Sequence, residues 1–173
     1  MRSKKFLQMQ NKNIILGIDP GYGRVGIAII EKTNKCERLI HSECFETDVK
    51  LPHFKRLLLI GEKIKEIIKY YKPWCVAVET LLWSKNKKTA LQVAEARGVI
   101  LFEVARANIV LREFNPNQIK LAITGYGKSD KKQVINMVEK LVKIIPKKRH
   151  DDEYDAIATA LTCAAISLST DIP

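Results

Sequence analysis

The chain has 173 residues, 46% of them hydrophobic and 28% charged, which suits one domain around a single core and excludes a disordered or fibrous polymer. Lysines and arginines number 30 against 19 acids, a formal net charge of +11. A polyanionic partner is favoured, because cationic side chains release the counterions of phosphates; a solvated basic surface without a partner is the plainer alternative.

Residues 1–12 are basic and read as a loose tail ahead of a domain over 13–173. The apolar run that follows, 14–18, is too short for a signal-peptide core or a membrane span, so the expected location is the cytoplasm. That run reads as a strand buried on both faces, and Asp19-Pro20-Gly21-Tyr22-Gly23 breaks it with a turn. Residues 25–30 form a second expected strand and 37–45 a more polar third, in an antiparallel meander. From His53 the period becomes helical: Phe54, Leu57, Leu58, Ile64, Ile67, Ile68 and Tyr71 recur with Lys55, Arg56, Lys63, Lys65 and Lys69 between them. Pro73 restarts the chain into a buried strand over 74–78 that ends on Glu79. A long helix over 87–107, a strand over 109–114, helices over 118–123 and 131–144, and a last helix over 152–167 complete the order. Three meandering strands followed by alternating helices and strands imply an α/β domain, a mixed sheet with helices on both faces.

Cys36, Cys44, Cys75 and Cys163 show no C-x-x-C pairing and no histidine at zinc-ligand spacing, so buried free thiols in a reducing compartment are expected.

Asp19 ends the first apolar strand and Glu79 the fourth. Parallel neighbours would bring both acids to the carboxyl edge of the sheet, where open α/β sheets place ligands, although a strand-end acid is also an ordinary junction feature. Asp152 and Asp155, three apart, share a helix face. Asp151, Asp152 and Glu153 also serve as acids at a helix N-terminus. Asp155 is harder to explain that way, because Ala156-Ile157-Ala158-Thr159-Ala160 behind it is a deeply packed helix without a basic residue. A carboxylate at its mouth calls for a cation. Oxygen ligands select Mg²⁺ or Mn²⁺, and four carboxylates can hold two such ions about 4 Å apart for phosphodiester hydrolysis.

Gly17-Ile18-Asp19-Pro20-Gly21, Ala77-Val78-Glu79 and Asp152-x-x-Asp155-Ala156-Ile157-Ala158 resemble the RuvC family of crossover junction endodeoxyribonucleases. So do Lys85-Asn86-x-x-x-Ala90-Leu91 with Ala96-Arg97-Gly98-Val99, and Lys120 through Gly125-x-Gly127 to Lys131-x-Gln133-Val134. The likeness runs from about residue 14 to 165. It implies an RNase H-like fold with a five-stranded mixed sheet, and a homodimer that resolves Holliday junctions by paired nicks with Mg²⁺, Mn²⁺ substituting. Asp19, Glu79, Asp152 and Asp155 fall on the family's catalytic, metal-binding acids. Lys120 and Lys131 fall on its DNA-contacting positions. A branch-migration helicase complex is a further partner of the family.

By the same resemblance the helix after Glu79 corresponds to a dimer helix, with Ala90, Ala94 and Gly98 allowing close approach; packing inside one chain is the alternative. In the loop 80–88, Leu82, Trp83, Lys85, Asn86, Lys87 and Lys88 suit contact with unstacked bases and phosphate. Leu82 aligns with the family's aromatic wedge and Trp83 follows it, so either could insert. Leu81, Leu82 and Trp83 could equally anchor the loop in the core. His150 and Asp151 add potential ligands, but His150 is out of register with Asp152 and reads as a supporting or surface residue.

Three other readings compete with this one. An actin-like ATPase needs a second domain and a second phosphate loop. A YqgF-like nuclease acting on structured RNA shares the core but not the dimer-helix match. A non-catalytic nucleic-acid-binding module is disfavoured by intact acids at all four positions.

Overall fold

In the computed structural model, which describes residues 11–81, 87–142 and 149–166, β1 (Asn11–Asp19), β2 (Arg24–Lys32) and β3 (Glu37–Glu46) form the meander. After them come α1 (His53–Tyr71), β4 (Pro73–Glu79), α2 (Lys87–Arg106) and β5 (Val110–Phe114). The chain closes with α3 (Pro116–Thr124), α4 (Lys131–Leu141) and α5 (Asp151–Ile166). The five strands form one mixed sheet in the order β3-β2-β1-β4-β5, with β1 antiparallel to β2 and parallel to β4. The expected α/β architecture is borne out.

Alternation divides the core into two layers. Ile15, Ala28, Cys75 and Ala77 face α3, α4 and α5, whereas Leu16, Ile18, Ile27, Val76 and Val78 face α1 and α2. The apolar runs of β1 and β4 are continuous because both faces are covered. Capping boxes at Asn115 with Gln118 and Asp130 with Gln133 set the starts of α3 and α4.

Several expectations change. β1 begins at Asn11, inside the expected tail, because the Asn11 N–H donates to the Lys72 carbonyl at 2.8 Å beside the start of β4. Phe54 and Leu58 share the helical period of α1 yet are exposed. Arg56, expected on the polar face, is buried. Its guanidinium donates to Thr47 Oγ1 at 2.8 Å and to the Tyr22 carbonyl at 3.2 Å, and so ties the turn after Asp19 to the start of α1. Cys75 and Cys163 are buried free thiols as expected, but Cys36 is exposed in the β2–β3 turn and Cys44 half-buried. No helix among the described residues is long and apolar enough to cross a membrane.

Candidate active site

Ile18 pairs with Val78 across the parallel β1–β4 ladder, so Asp19 and Glu79, one residue further on, leave the sheet side by side at its carboxyl edge. Asp19 shares the parity of Ile15 and Gly17, and Glu79 that of Cys75 and Ala77. Both acids therefore point to the face that carries α5.

Two glycines let α5 lie against that face. A Cβ on Gly26 would overlap the carbonyl oxygen of Asp152, and one on Gly17 would overlap that of Ala156. Gly26 is also the cross-strand partner of Asp19. The first turn of α5 thus sits directly over the end of β1, with Ala156, Ala158 and Ala160 allowing the close approach.

The electrostatics follow from this crowding. Burial, then the charges of Glu79, Asp155 and Asp152, raise the Asp19 carboxyl well above the usual carboxylate range, against the pull of Lys131. Glu79 is pushed up to about 7, first by burial and then by Asp155, against Lys131 and Lys120. Asp155 is raised by burial in spite of Lys131, whose Nζ donates to its Oδ2 at 3.0 Å.

That ammonium is a correction. The absence of a basic residue from the last helix made a bound cation the expected compensation for Asp155, whereas α4 supplies Lys131, which also lies 3.3 Å from Asp151 Oδ2. One ammonium still leaves Asp19 and Glu79 unfavourably charged. The donor set is oxygen only and fits a hard divalent cation.

Asp152 turns the other way. Its Oδ2 lies 3.4 Å from Arg24 Nε and 3.8 Å from Cys44 Sγ. Burial, followed by the charges of Asp152 and Glu46, pushes the Cys44 thiol up to about 11. Among the described residues, Cys44, Glu46 and His150, not the four acids, hold their ligand atoms within 4.8 Å of one another.

Lys120 and Lys131 line one cleft with Glu79 and Asp155, together with Pro116, Ile119 and Val134. Leu82, Trp83, Lys85 and Asn86 lie outside the described residues. Lys87 and Lys88 open α2, and their side chains also lie outside them. Arg24 and Cys44 were missed in the sequence. Their signal was the meander register, which sets Cys44 opposite Gly26 and Gly26 opposite Asp19.

Carboxylates gathered where β1 and β4 end, roofed by the last helix, on a β3-β2-β1-β4-β5 sheet define the RNase H-like nuclease class. The family model of crossover junction endodeoxyribonuclease RuvC matches residues 15–163. A relative of that name from Thermosipho melanesiensis is 46% identical over 153 residues, 88% of this chain and 96% of its own length. Another from Petrotoga mobilis is 45% identical over 147 residues, 85% and 90% of the two chains. The chain belongs to the RuvC family of crossover junction endodeoxyribonucleases.

Solved structures agree. Thermus thermophilus RuvC, 29% identical, superposes with a TM-score of 0.80 over 88% of this chain and 93% of its own. The same protein in complex with a Holliday junction substrate gives 0.81 over 86% and 91%. The RNA-directed reading gains no support from these matches.

Proposed function

We propose that this protein resolves four-way DNA junctions, nicking two opposing strands by hydrolysis of a phosphodiester in each. The observation that carries the reading is the meeting of Asp19, Glu79 and Asp155 at one sheet edge, beside Lys120 and Lys131 in a single cleft. The family match and the junction-bound relative support DNA, rather than RNA, as the substrate. Asp19, Glu79, Asp152 and Asp155 are the catalytic and metal-holding acids of this reading, with two Mg²⁺ per site and Mn²⁺ as a substitute. Such ions would activate water for attack and stabilise the leaving oxygen.

The chain's own side chains do the rest. Glu79, whose carboxyl burial and Asp155 push up to about 7 in the metal-free chain, is an acid that a bound cation would hold in its ionised form. Lys131 orients Asp155 through its 3.0 Å hydrogen bond. Lys120 and Lys131 supply positive charge to a backbone phosphate that the acids alone would repel. A substrate of this kind and the free thiols fit a cytoplasmic protein.

Paired nicks call for two active sites, and α2 offers a face for a second copy. Leu91, Ala94, Gly98 and Phe102 recur at helical spacing and are exposed. A Cβ on Gly98 would meet nothing within 4 Å. This exposure favours pairing between copies over the alternative of packing within one chain. Ala90 is only half-buried at the start of the same helix.

The substrate reading is tested by incubating the protein with a synthetic four-way junction, a linear duplex of equal length and a structured RNA, with and without Mg²⁺. Cleavage of the junction alone, and only with Mg²⁺, is expected. Equal cutting of linear duplex or preferential cutting of RNA would overturn it.

A further inference from the structure

A thiol, a carboxylate and an imidazole converge on the outer side of the α5 N-terminus, next to the acid cluster but not part of it. The register of the meander puts them there. Gly26 pairs with Asp19 on one side and with Cys44 on the other, so those positions form one row across β1, β2 and β3. Ser42, Cys44 and Glu46 alternate onto the face that carries α5. Ser42 Oγ donates to Glu153 Oε2 at 2.8 Å, and Cys44 Sγ lies 3.8 Å from Asp152 Oδ2. His150 immediately precedes the helix, where its backbone N–H donates to Glu153 Oε1 at 3.4 Å. Cys44 Sγ, a Glu46 carboxylate oxygen and a His150 ring nitrogen all lie within 4.8 Å of one another.

We propose that Cys44, Glu46 and His150 form a second metal site, selective for a thiophilic divalent ion of the zinc class. The donor chemistry separates it from the oxygen-only cluster: thiolate and imidazole favour Zn²⁺ and disfavour Mg²⁺. With tetrahedral bonds of about 2.0–2.3 Å, neighbouring ligand atoms stand roughly 3.3–3.8 Å apart. From within 4.8 Å the trio would reach that spacing by side-chain rotation, for which Glu46 and His150 are exposed. The Cys44 thiol proton leaves to solvent as its sulfur binds the ion. Two positive groups adjoin the site. Arg24, 3.4 Å from Asp152 Oδ2, has a side chain 53% exposed that can swing into solvent. Arg149, its side chain only 6% exposed, is held toward Glu153, with its Nε 3.3 Å from Ser42 Oγ and 3.8 Å from Glu153 Oε2.

Asp152 is the next donor in line. An ion held by the trio would draw its carboxylate toward β3 and away from Asp19, so zinc-class ions would suppress cleavage. That consequence rests on the nuclease reading; the binding itself does not.

Co²⁺ is the probe, because a cobalt–thiolate bond gives a near-ultraviolet charge-transfer band. Titrating the metal-free full chain with Co²⁺ should produce the band, and Zn²⁺ should abolish it by displacement. Cys44→Ser should eliminate the band. His150→Ala, at an exposed position, should weaken Co²⁺ binding by at least the roughly tenfold that disturbing even an outer partner of a metal site costs. Asp19→Asn and Cys36→Ser should leave the band intact. No band in the wild type, a band that survives in Cys44→Ser, or one lost in Asp19→Asn overturns the site. In cleavage assays at saturating Mg²⁺, added Zn²⁺ should inhibit the wild type and spare Cys44→Ser; equal inhibition of both overturns the coupling to Asp152.

Discussion

The ammonium of Lys131, at the first position of α4, lies 3.0 Å from Oδ2 of Asp155 on α5. The lysine side chain is 48% exposed, so the pair contributes below about 1 kcal/mol to folding. Its value in the proposed reaction is positional. Lys131→Ala is expected to lower junction cleavage by roughly 10²–10³, the scale of losing one preorganised charge at a reacting phosphate, while the urea midpoint hardly moves. Wild-type cleavage by the variant would remove Lys131 from the machinery.

In the proposed reaction Glu79 gives up stability for function. With its carboxyl pushed up to about 7 from 4.5, the folded protein holds a proton that the unfolded chain has released between those values. Stability of the metal-free protein therefore falls as pH rises through that window, by up to about 3 kcal/mol from this group. Glu79→Gln should abolish cleavage yet be more stable than the wild type at pH 8, and its stability should change less between pH 5 and pH 8. Urea unfolding at the two pH values checks this. A variant less stable than the wild type at pH 8 would contradict it.

Much of this arrangement was legible in the sequence, for reasons that particular residues make plain. The runs through Ile15 and Val76 read as strands because burial on both faces removes every polar residue from them. Asp19 and Glu79 read as a pair because both end such runs. Lys131 could not be matched to Asp155, since α4 meets α5 only through tertiary packing. Phe54 and Leu58 misled because periodicity reveals an apolar stripe without revealing what covers it. Arg56 looked like part of a polar face until the turn at Tyr22 closed over it. The Cys44–His150 proximity was hidden because the meander and the last helix are far apart in the chain.

Gly26 should tolerate no side chain. The Asp152 carbonyl that a Cβ would strike is backbone, so α5 must shift as a unit. Gly26→Ala is expected to cost about 1–3 kcal/mol, as overpacked cores do, and to lose cleavage through displacement of Asp152 and Asp155. Thermal unfolding and nicking assays on one preparation check both effects. Unchanged values in both would mean that α5 does not need its close seat on β2.

Gly98 tests the pairing of two copies. Because open space surrounds it in the monomer, Gly98→Arg should leave the fold intact and weaken self-association, read as a shift toward monomer in sedimentation. An unchanged dimer would place the interface on another face, and a wild type that is monomeric at all concentrations would reject the dimer.

Asp19 stands at the centre of the account, paired with Gly26, beside Glu79 and beneath the start of α5. The most direct measurement is mapping of nicks on a synthetic four-way junction by wild type and Asp19→Asn in Mg²⁺, with binding of the same junction measured in parallel. Symmetric nicks by the wild type, and none by a variant that binds the junction as tightly, are the predicted result. Nicking by Asp19→Asn at the wild-type rate would contradict the assignment of this carboxylate cluster as the catalytic site.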